Sequence, residues 1–253
     1  MRILLTNDDG IHADGLACLE RIAKTLSDDV WVVAPSTDQS GVAHSLSLSD
    51  PLRLRTISAR HHALKGTPTD CVIFGVRHLL KDNPPDLILS GVNSGTNIAE
   101  DVTYSGTIAG AIEGTLLGIP SFALSLAYGP AGRDNAHWDC AEQHAPGIIR
   151  KVLANGIPRD VLINLNFPDC GPAEIKGIAV AVQGRRDAQY LKIEERADGR
   201  GLPYYWIGFT RHPQTPGHGT DLEAMAQKKI SVTPLRINMT DEPELTRLAS
   251  LFG

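Results

Sequence analysis

The feature that most constrains this chain is an apolar segment, Ile3-Leu4-Leu5, that stops abruptly at a polar loop, Asn7-Asp8-Asp9-Gly10. This pattern is typical of a buried strand that delivers the loop at its carboxyl end. Apolar residues then recur at helical spacing over residues 16–26, and residues 30–34 predict a second buried strand. Strand, helix and strand in this order predict a βαβ unit, in which the two strands are parallel.

The same alternation continues through the first half of the chain. Thr67-Pro68-Thr69-Asp70 combines an N-cap residue, a proline at the first helical position and an acid at the third, and it predicts a helix that leads to a strand at residues 86–89. Ser105 can cap another helix, which Gly118 ends before a strand at residues 119–126. Together these elements predict an α/β fold with a mostly parallel sheet and flanking helices.

The pattern weakens after residue 127. Pro146 is expected to interrupt the helical segment at residues 138–153, because proline lacks the backbone N–H that a helix interior requires. Thr240 is predicted to cap a C-terminal helix. Further strands are predicted at residues 161–166, 178–182 and 230–235.

Residues 184–219 are charged, are punctuated by glycine and proline, and contain Tyr204-Tyr205-Trp206. This composition predicts a protruding β-hairpin arm, and exposed aromatic residues on an arm indicate subunit contact. We therefore expect one domain over residues 1–253, divided into a core of about residues 1–183 and 220–237, an arm of about residues 184–219 and a C-terminal helix of about residues 240–252.

Composition and charge limit the possible partners. The chain is 42% hydrophobic and 21% charged, as in globular proteins, and its net charge of -5 provides no basic surface for gripping a nucleic-acid polymer. Four cysteines lie far apart without a C-x-x-C pair, so we expect reduced thiols that are mostly buried. No signal peptide and no membrane segment are recognisable, and a cytoplasmic location is expected.

Asp8 and Asp9 lie in a turn, where both carboxylates can converge on one metal ion. An alternative is an Asx-type turn, or an N-cap for the helix that begins near Gly15. The metal is favoured because polar loops also follow later strands, at residues 38–41 and 90–97. The carboxyl ends of parallel strands meet at one edge of the sheet, so these loops can approach Asp8.

Ser40 and Asn93 lie in those two loops and can add a hydroxyl and an amide oxygen to the two carboxylates. An all-oxygen set suits Mg²⁺ or Mn²⁺, whereas zinc or copper is usually bound by histidine or cysteine. The sequence therefore predicts one divalent metal ion held by Asp8, Asp9, Ser40 and Asn93.

Ser105-Gly106-Thr107 begins a helix, where backbone N–H groups and two hydroxyls can surround a phosphate. The alternative is an ordinary helix cap. No G-x-G-x-x-G follows the first strand and no G-x-x-x-x-G-K-[ST] occurs, which argues against a dinucleotide oxidoreductase and a P-loop ATPase. The phosphate is therefore predicted to be the reacting group.

Further candidates for substrate contact lie in the same loops: Asn7, Gly41 and Asn97. His12 and His44 are candidate proton donors or phosphate contacts, although loop histidines are usually solvated. The Arg185-Arg186 pair near the arm can reach an anionic substrate, but a solvated surface role is the expected one.

The chain resembles the SurE, or stationary-phase survival protein, family in blocks that run in order across most of its length: MRILLTNDDG, DQSGVAHSLSL, GTPTDCV, SGVNSGTNIAEDVTYSGTIAGAIEG, YYWIG and TDLEAMAQKKISVTPL. The resemblance implies a Rossmann-like core, a divalent metal on Asp8, Asp9, Ser40 and Asn93, and hydrolysis of nucleoside 5′- and 3′-monophosphates. It also implies activity on short polyphosphate in some members, and dimers or tetramers that form through arms and C-terminal segments.

Three residues depart from the pattern that the family implies. Asp14 stands where proline is usual, Ala99 where glycine is usual, and Lys229 where an aromatic residue precedes the last strand. Ala99 is the departure of interest, because glycine permits backbone angles that alanine disfavours. We expect it to affect substrate preference more than catalysis.

The expected mechanism is attack by a metal-oriented water, with Asp8 or Asp9 accepting its proton while Asn97 and the Ser105-Gly106-Thr107 turn neutralise the phosphate oxygens. Direct attack by one carboxylate, giving an aspartyl-phosphate, is the alternative. Two rival functions are a nucleotide-binding regulator without turnover and, more remotely, a nucleotide-sugar glycosyltransferase.

Overall fold

The computed structural model describes residues 1–129, 132, 135–186, 191–209 and 215–253. The helices are α1 Asp14–Lys24, α2 Pro68–Phe74, α3 Gly106–Leu116, α4 Trp138–Asn155, α5 Asp221–Ala226 and α6 Glu242–Phe252. The strands are β1 Arg2–Thr6, β2 Asp29–Pro35, β3 Arg53–Ser58, β4 His61–Lys65, β5 Leu87–Ser94, β6 Ser121–Leu126, β7 Val161–Phe167, β8 Ile178–Val180, β9 Leu191–Ala197, β10 Pro203–Phe209 and β11 Ile230–Arg236. A π-helical turn at Gly75–Leu79 extends α2, and short 3₁₀ turns lie at Ala99–Thr103 and Pro172–Glu174.

Nine strands form one sheet in the order β3-β4-β2-β1-β5-β6-β7-β11-β8. Its pairs are parallel except where β3 joins β4 and where β11 joins β7. The chain runs outward from β1 through β2 to β4, then returns to the other side of β1 and continues through β5, β6 and β7. This order confirms the predicted α/β fold, and it places a topological switch point between β1 and β5.

Helices cover both faces of the sheet. Successive side chains of a strand point to opposite faces, and in β1 Ile3 and Leu5 pack with α1 and α4 while Leu4 packs with α2. α3 packs over β6 and β7 through Ile108 and Ala111. Because β1 is buried from both sides, its residues form a continuous apolar run.

The predicted helix ends are confirmed. Thr67 caps α2 in a capping box, accepting from the Asp70 N–H while the Asp70 carboxylate accepts from the Thr67 N–H at 2.8 Å. Ser105 caps α3, its Oγ accepting from the Ile108 N–H at 3.0 Å. Gly118 follows α3 with a φ of 79°, a conformation that glycine adopts without strain.

The prediction that Pro146 interrupts a helix was wrong, because α4 continues through it. Proline removes one intrahelical hydrogen bond, but Pro146 lies on the buried face of α4, between Ala145 and Ile148. Burial of this face against the sheet stabilises the helix more than the lost bond destabilises it. Local sequence rules do not include that contribution.

Two further elements differ from prediction. The β3–β4 hairpin was not predicted, because every residue of β3 is exposed and the strand lacks the alternation of a half-buried strand. Asp241, rather than Thr240, caps the C-terminal helix α6, its Oδ1 accepting from the Glu244 N–H at 2.8 Å. No residue of α6 is buried.

The arm contains an antiparallel hairpin, β9–β10, which forms a sheet of its own. Tyr205 and Trp206 are 59% and 57% exposed on it. Residues 187–190 and 210–214, which fall within the predicted arm, lie outside the described residues. The use of the arm and α6 in subunit contact stays a prediction.

The cysteines agree with the predicted thiol state. Cys18, Cys71, Cys140 and Cys170 are free and buried, and burial raises the pKa of each thiol. Among the helices in the described part of the chain, none has the length and apolar character needed to cross a membrane.

Close packing of α3 on the sheet gives a test of the fold. A Cβ atom at Gly114 would lie 2.7 Å from Ile88 Cδ1 and closer still to Ser121 Oγ, so Gly114→Ala is expected to lower the free energy of unfolding by about 1–3 kcal/mol. A Cβ atom at Gly147 in α4 would meet open space. Gly147→Ala is therefore expected to raise the free energy of unfolding by up to about 1 kcal/mol. Urea unfolding followed by circular dichroism measures both changes. Equal effects of the two substitutions would contradict the packing of α3.

Candidate metal and phosphate site

Asp8 and Asp9 follow β1 at the switch point of the sheet. Asn7 makes the local turn, since its Nδ2 donates to the Gly10 carbonyl at 2.9 Å. Helix α1 begins after Ala13, without a side-chain cap. Neither carboxylate is therefore the cap of α1, which was one of the two alternatives to a ligand role.

Asp8 is held against the start of α3. Its Oδ1 accepts a hydrogen bond of 2.5 Å from the Thr107 hydroxyl. A Cβ atom at Gly106 would lie 2.7 Å from the Asp8 Cβ, so only glycine allows the helix to approach this closely. The Asp8 carboxylate consequently has a fixed position and is only 4% exposed.

The burial of Asp8 opposes its negative charge. Removal from water raises its pKa from 3.8 to about 7, the Thr107 hydrogen bond counteracts part of that increase, and the nearby negative charge of Asp9 adds to it. A cation bound at this carboxylate would favour the ionised form.

Asp9 connects the β1 loop to the end of β5. Its Oδ2 accepts from the Ser94 N–H at 3.1 Å, next to the predicted ligand Asn93. The Asn93 amide NH₂ donates to the Gly95 carbonyl at 2.8 Å, so its Oδ1 is the side-chain atom suited to bind a cation.

The loop that follows β2 is attached to Asp8 through the main chain. The Gln39 N–H donates to the Asp8 carbonyl at 2.8 Å, which brings the adjacent Ser40 to the same sheet edge. The Ser40 N–H donates to the Asp38 carboxylate at 2.7 Å. Ser40 and Gly41 are exposed, and Gly41 has a φ of 77°.

The oxygen atoms of these side chains are ligands that suit a hard cation. Within the described residues, no three histidine, cysteine, aspartate or glutamate side chains are grouped so that they could hold a metal ion. A metal at this edge would have to combine the two carboxylates with neutral oxygens and water, as Mg²⁺ and Mn²⁺ do. Asn7 Oδ1 is also buried there and accepts no hydrogen bond from the described part of the chain. An unpaired buried amide oxygen beside two carboxylates fits a bound cation.

The hydroxyls at the start of α3 have partners within the protein. Ser105 is a helix cap, as the alternative to phosphate binding stated, and its hydroxyl oxygen already accepts from Ile108. The Thr107 hydroxyl is fully buried and donates to Asp8, so it orients that carboxylate. The backbone N–H groups at the first turn of α3 remain the candidate phosphate donors.

The two candidate histidines have other partners. His12 is exposed, with its Nε2 3.4 Å from Arg55 Nη2. His44 Nε2 lies 3.0 Å from Glu113 Oε2, a mostly buried acid of α3. The structure therefore pairs both histidines with residues outside the Asp8–Asp9 pair.

Sequence reasoning missed the residues that hold the loop between β5 and α3. Asp221 is fully buried, and its Oδ2 accepts from the Ala99 N–H at 2.9 Å while Gln183 Nε2 donates to the Ala99 carbonyl at 2.9 Å. Ala99 has a φ of 53°, the left-handed conformation in which glycine is easier to accommodate. The only signal for Asp221 was its place in a capping sequence, which indicates an ordinary helix start.

Arg186 binds the same loop. Its guanidinium contacts Asp101 at 2.8 Å and the Ile98 carbonyl at 3.2 Å, and its N–H donates to Glu100 at 2.7 Å. The expectation of a solvated surface role for this arginine was wrong, since its side chain is mostly buried in these contacts.

Comparison with known proteins supplies a family. A model described as Survival protein SurE matches residues 3–190. A protein named 5′-nucleotidase SurE from Beijerinckia indica is 68% identical over 251 residues, which is 98% of this chain and 95% of the relative. One of the same name from Methylobacterium radiotolerans is 64% identical over the full length of both chains. The crystal structure of the SurE protein from Aquifex aeolicus covers both chains completely, with 40% identity and a TM-score of 0.86.

The burial of Asp8 predicts that the folding stability of the metal-free protein depends on pH. Between pH 3.8 and about 7 the folded state keeps a proton that the unfolded state releases, so folding stability falls as pH rises through this window. Asp8→Asn removes this titration, and its stability advantage over wild type should grow across the window to about 2–4 kcal/mol. Thermal unfolding in EDTA at about pH 4 and pH 8 measures the change.

Asp28→Asn is the control for this experiment, because it removes an exposed carboxylate next to the opposite end of β2. It should change stability equally at both pH values. An Asp8→Asn protein with the same advantage at both pH values would contradict the burial of a charged group at Asp8.

Proposed function

The chain belongs to the Survival protein SurE family, and from this premise we propose that it hydrolyses nucleoside 5′- and 3′-monophosphates with a bound divalent metal ion. Relatives that match it over nearly their whole length are named 5′-nucleotidases, and the chain is accordingly a nucleotidase, a hydrolase. The observation that supports metal dependence best is the buried Asp8 carboxylate beside Asp9, at the point where three strand-end loops meet. Short polyphosphate is proposed as a further substrate.

One Mg²⁺ or Mn²⁺ ion per subunit would be held by the oxygens of Asp8, Asp9, Ser40 and Asn93. When bound, such an ion neutralises phosphate charge and lowers the pKa of water. Asp8 supplies a carboxylate whose position is set by Thr107 and Gly106 before any ligand arrives. A preformed position lowers the reorganisation that metal binding requires.

The phosphate would lie against the first turn of α3. Unpaired backbone N–H groups at a helix start attract anions, and α3 has 11 residues aligned behind this turn. Asn7, Gly41 and Asn97 are proposed to complete the substrate site with the turn at Ser105 and Gly106. Thr107 is proposed to act through Asp8.

Hydrolysis requires that a water oxygen forms a bond to phosphorus while the bond to the nucleoside oxygen breaks. Asp8 or Asp9 accepts the proton of the attacking water. The nucleoside oxygen takes up a proton as it leaves. Direct attack by a carboxylate would instead leave an aspartyl-phosphate, which rapid acid quench would trap.

The arm and α6 are proposed to join subunits into a homodimer or homotetramer. Both carry exposed apolar side chains, among them Trp206 on β10 and Phe252 on α6. No contact with nucleic-acid polymers or membranes is proposed, and a cytoplasmic location stays a prediction.

Phosphate release tests the proposed reaction. Purified protein with Mn²⁺ or Mg²⁺ is expected to release phosphate from 5′- and 3′-monophosphates and from tripolyphosphate, and EDTA should stop it. Asp8→Asn and Asp9→Asn should each lower kcat/KM by at least about 100-fold, because metal ligands matter more than the groups that merely orient them. Asp28→Asn should retain wild-type activity.

Two results would contradict this proposal. Nucleotide binding without phosphate release would indicate a regulator in place of an enzyme. Full metal-dependent activity in Asp8→Asn or Asp9→Asn would exclude the proposed metal ligands.

Sedimentation velocity tests the proposed assembly. Replacement of Tyr205 and Trp206 by serine should shift the protein toward smaller species, because these aromatic side chains are expected to be buried between subunits. Leu48→Ser removes a side chain that is also exposed, outside the arm, and should leave the assembly unchanged. A monomeric wild-type protein would exclude the interface.

A further inference from the structure

A buried cluster of amide side chains lies under the loop between β5 and α3. Asn164 and Asn166 lie two residues apart on β7 and point to the same face of the sheet, toward α3. Both are fully buried, and they contact the main chain at Asn97. The proposed function above does not include either asparagine.

The contacts are directed at a single residue of the loop. Asn166 Oδ1 accepts from the Asn97 N–H at 2.9 Å, and Asn166 Nδ2 lies 3.2 Å from the Asn97 carbonyl. Asn164 Nδ2 donates to the same carbonyl at 2.8 Å. Asn166 therefore binds both polar groups of one residue, as the neighbouring strand of a sheet would do.

The Asn97 side chain is held separately. Its Nδ2 donates to Ser125 Oγ on β6 at 2.8 Å, and Ser125 is the register partner of Asn166. Asn166 Nδ2 also lies 3.2 Å from Asn164 Oδ1, so the two amides orient each other. The backbone and the side chain of Asn97 are thus both fixed from the strands beneath.

Asparagine is the residue type that this geometry requires. A buried main-chain N–H and carbonyl must both be paired, and a planar amide carries a donor and an acceptor side by side. Aspartate would offer acceptors only and would face the Asn97 carbonyl with negative charge. Alanine at position 166 would leave the Asn97 N–H unpaired and the Asn97 carbonyl with the Asn164 donor alone.

We propose that Asn164 and Asn166 are positioning residues that hold Asn97, and with it the loop before α3, in the conformation that binds the phosphate of a nucleoside monophosphate. This inference rests on the proposed function for its substrate. The loop lies between the predicted ligand Asn93 and the cap residue Ser105, so its path sets where both ends of the phosphate site lie. A small displacement of such a group lowers the rate strongly.

The experiment compares three variants by steady-state kinetics, Mn²⁺ titration and hydrogen exchange of the peptide that contains Asn97. Asn166→Ala should raise KM for a nucleoside monophosphate and lower kcat/KM by at least about tenfold. Its affinity for Mn²⁺ should stay within about twofold of wild type, because the described side-chain hydrogen bonds of Asn166 go to Asn97 and Asn164. Asn164→Ala removes one donor to Asn97 and should give a smaller effect in the same direction.

Thr233→Val is the matched control. Thr233 is buried on the neighbouring strand β11 as the register partner of Asn164, and its hydroxyl pairs with Ser231 rather than with the loop. The control should keep wild-type KM even where its thermal stability falls. A general loss of stability would change KM in all three variants. Loss of positioning changes KM only in the two asparagine variants.

Hydrogen exchange separates this inference from the proposed function, because it needs no turnover. In Asn166→Ala, exchange at Asn97 should be at least about tenfold faster than in wild type, since its N–H has lost its acceptor. Unchanged exchange at Asn97, or unchanged KM in an active protein, would overturn the inference. A wild-type protein without phosphatase activity would instead refute the proposed function, and exchange would then decide the positioning role. If Asn166→Ala does not fold, Asn164→Ala tests the positioning role through KM, because it removes a donor to the Asn97 carbonyl, and an unchanged KM would overturn the inference.

Discussion

The rest of the site is built around the buried carboxylate of Asp8, because a negative charge removed from water must be compensated locally. Thr107 donates a hydrogen bond to it, Gly106 lets α3 approach it, and Gln39 attaches the β2 loop to its main chain. Asp9 beside it adds to the electrostatic cost. The polypeptide thus tolerates at this position a group that becomes favourable only with a proton or a cation.

Sheet topology explains why these groups meet. β1 lies between β2 and β5, so the loops after three parallel strands open at one edge of the sheet, at the switch point between β1 and β5. α3 begins at this edge, and Gly106 in its first turn lies against the Asp8 side chain. A carboxylate pair and an anion-attracting helix start therefore lie side by side, which is the electrostatic arrangement that a metal-bound phosphate requires.

The loop between β5 and α3 is stabilised by side chains that come from distant parts of the chain. Asn164 and Asn166 pair the main chain of Asn97, and Asp221 and Arg186 pair the residues that follow. Arg186 belongs to the predicted arm, residues 184–219, so the base of the arm and the loop before α3 share one set of hydrogen bonds. The two asparagines were not identified from sequence, because two polar residues within an apolar strand give no signal of what they face.

The sequence alone determined the alternation of strands and helices, the caps at Thr67 and Ser105, and the strand-end position of Asp8, Asp9, Ser40 and Asn93. These features depend on local periodicity and on residues within a few positions of each other. Only the tertiary structure decided that α4 continues through Pro146, that Thr107 contacts Asp8 and that Asn166 holds Asn97. Each of these depends on burial or on a partner far away in sequence, and short-range pattern contains neither.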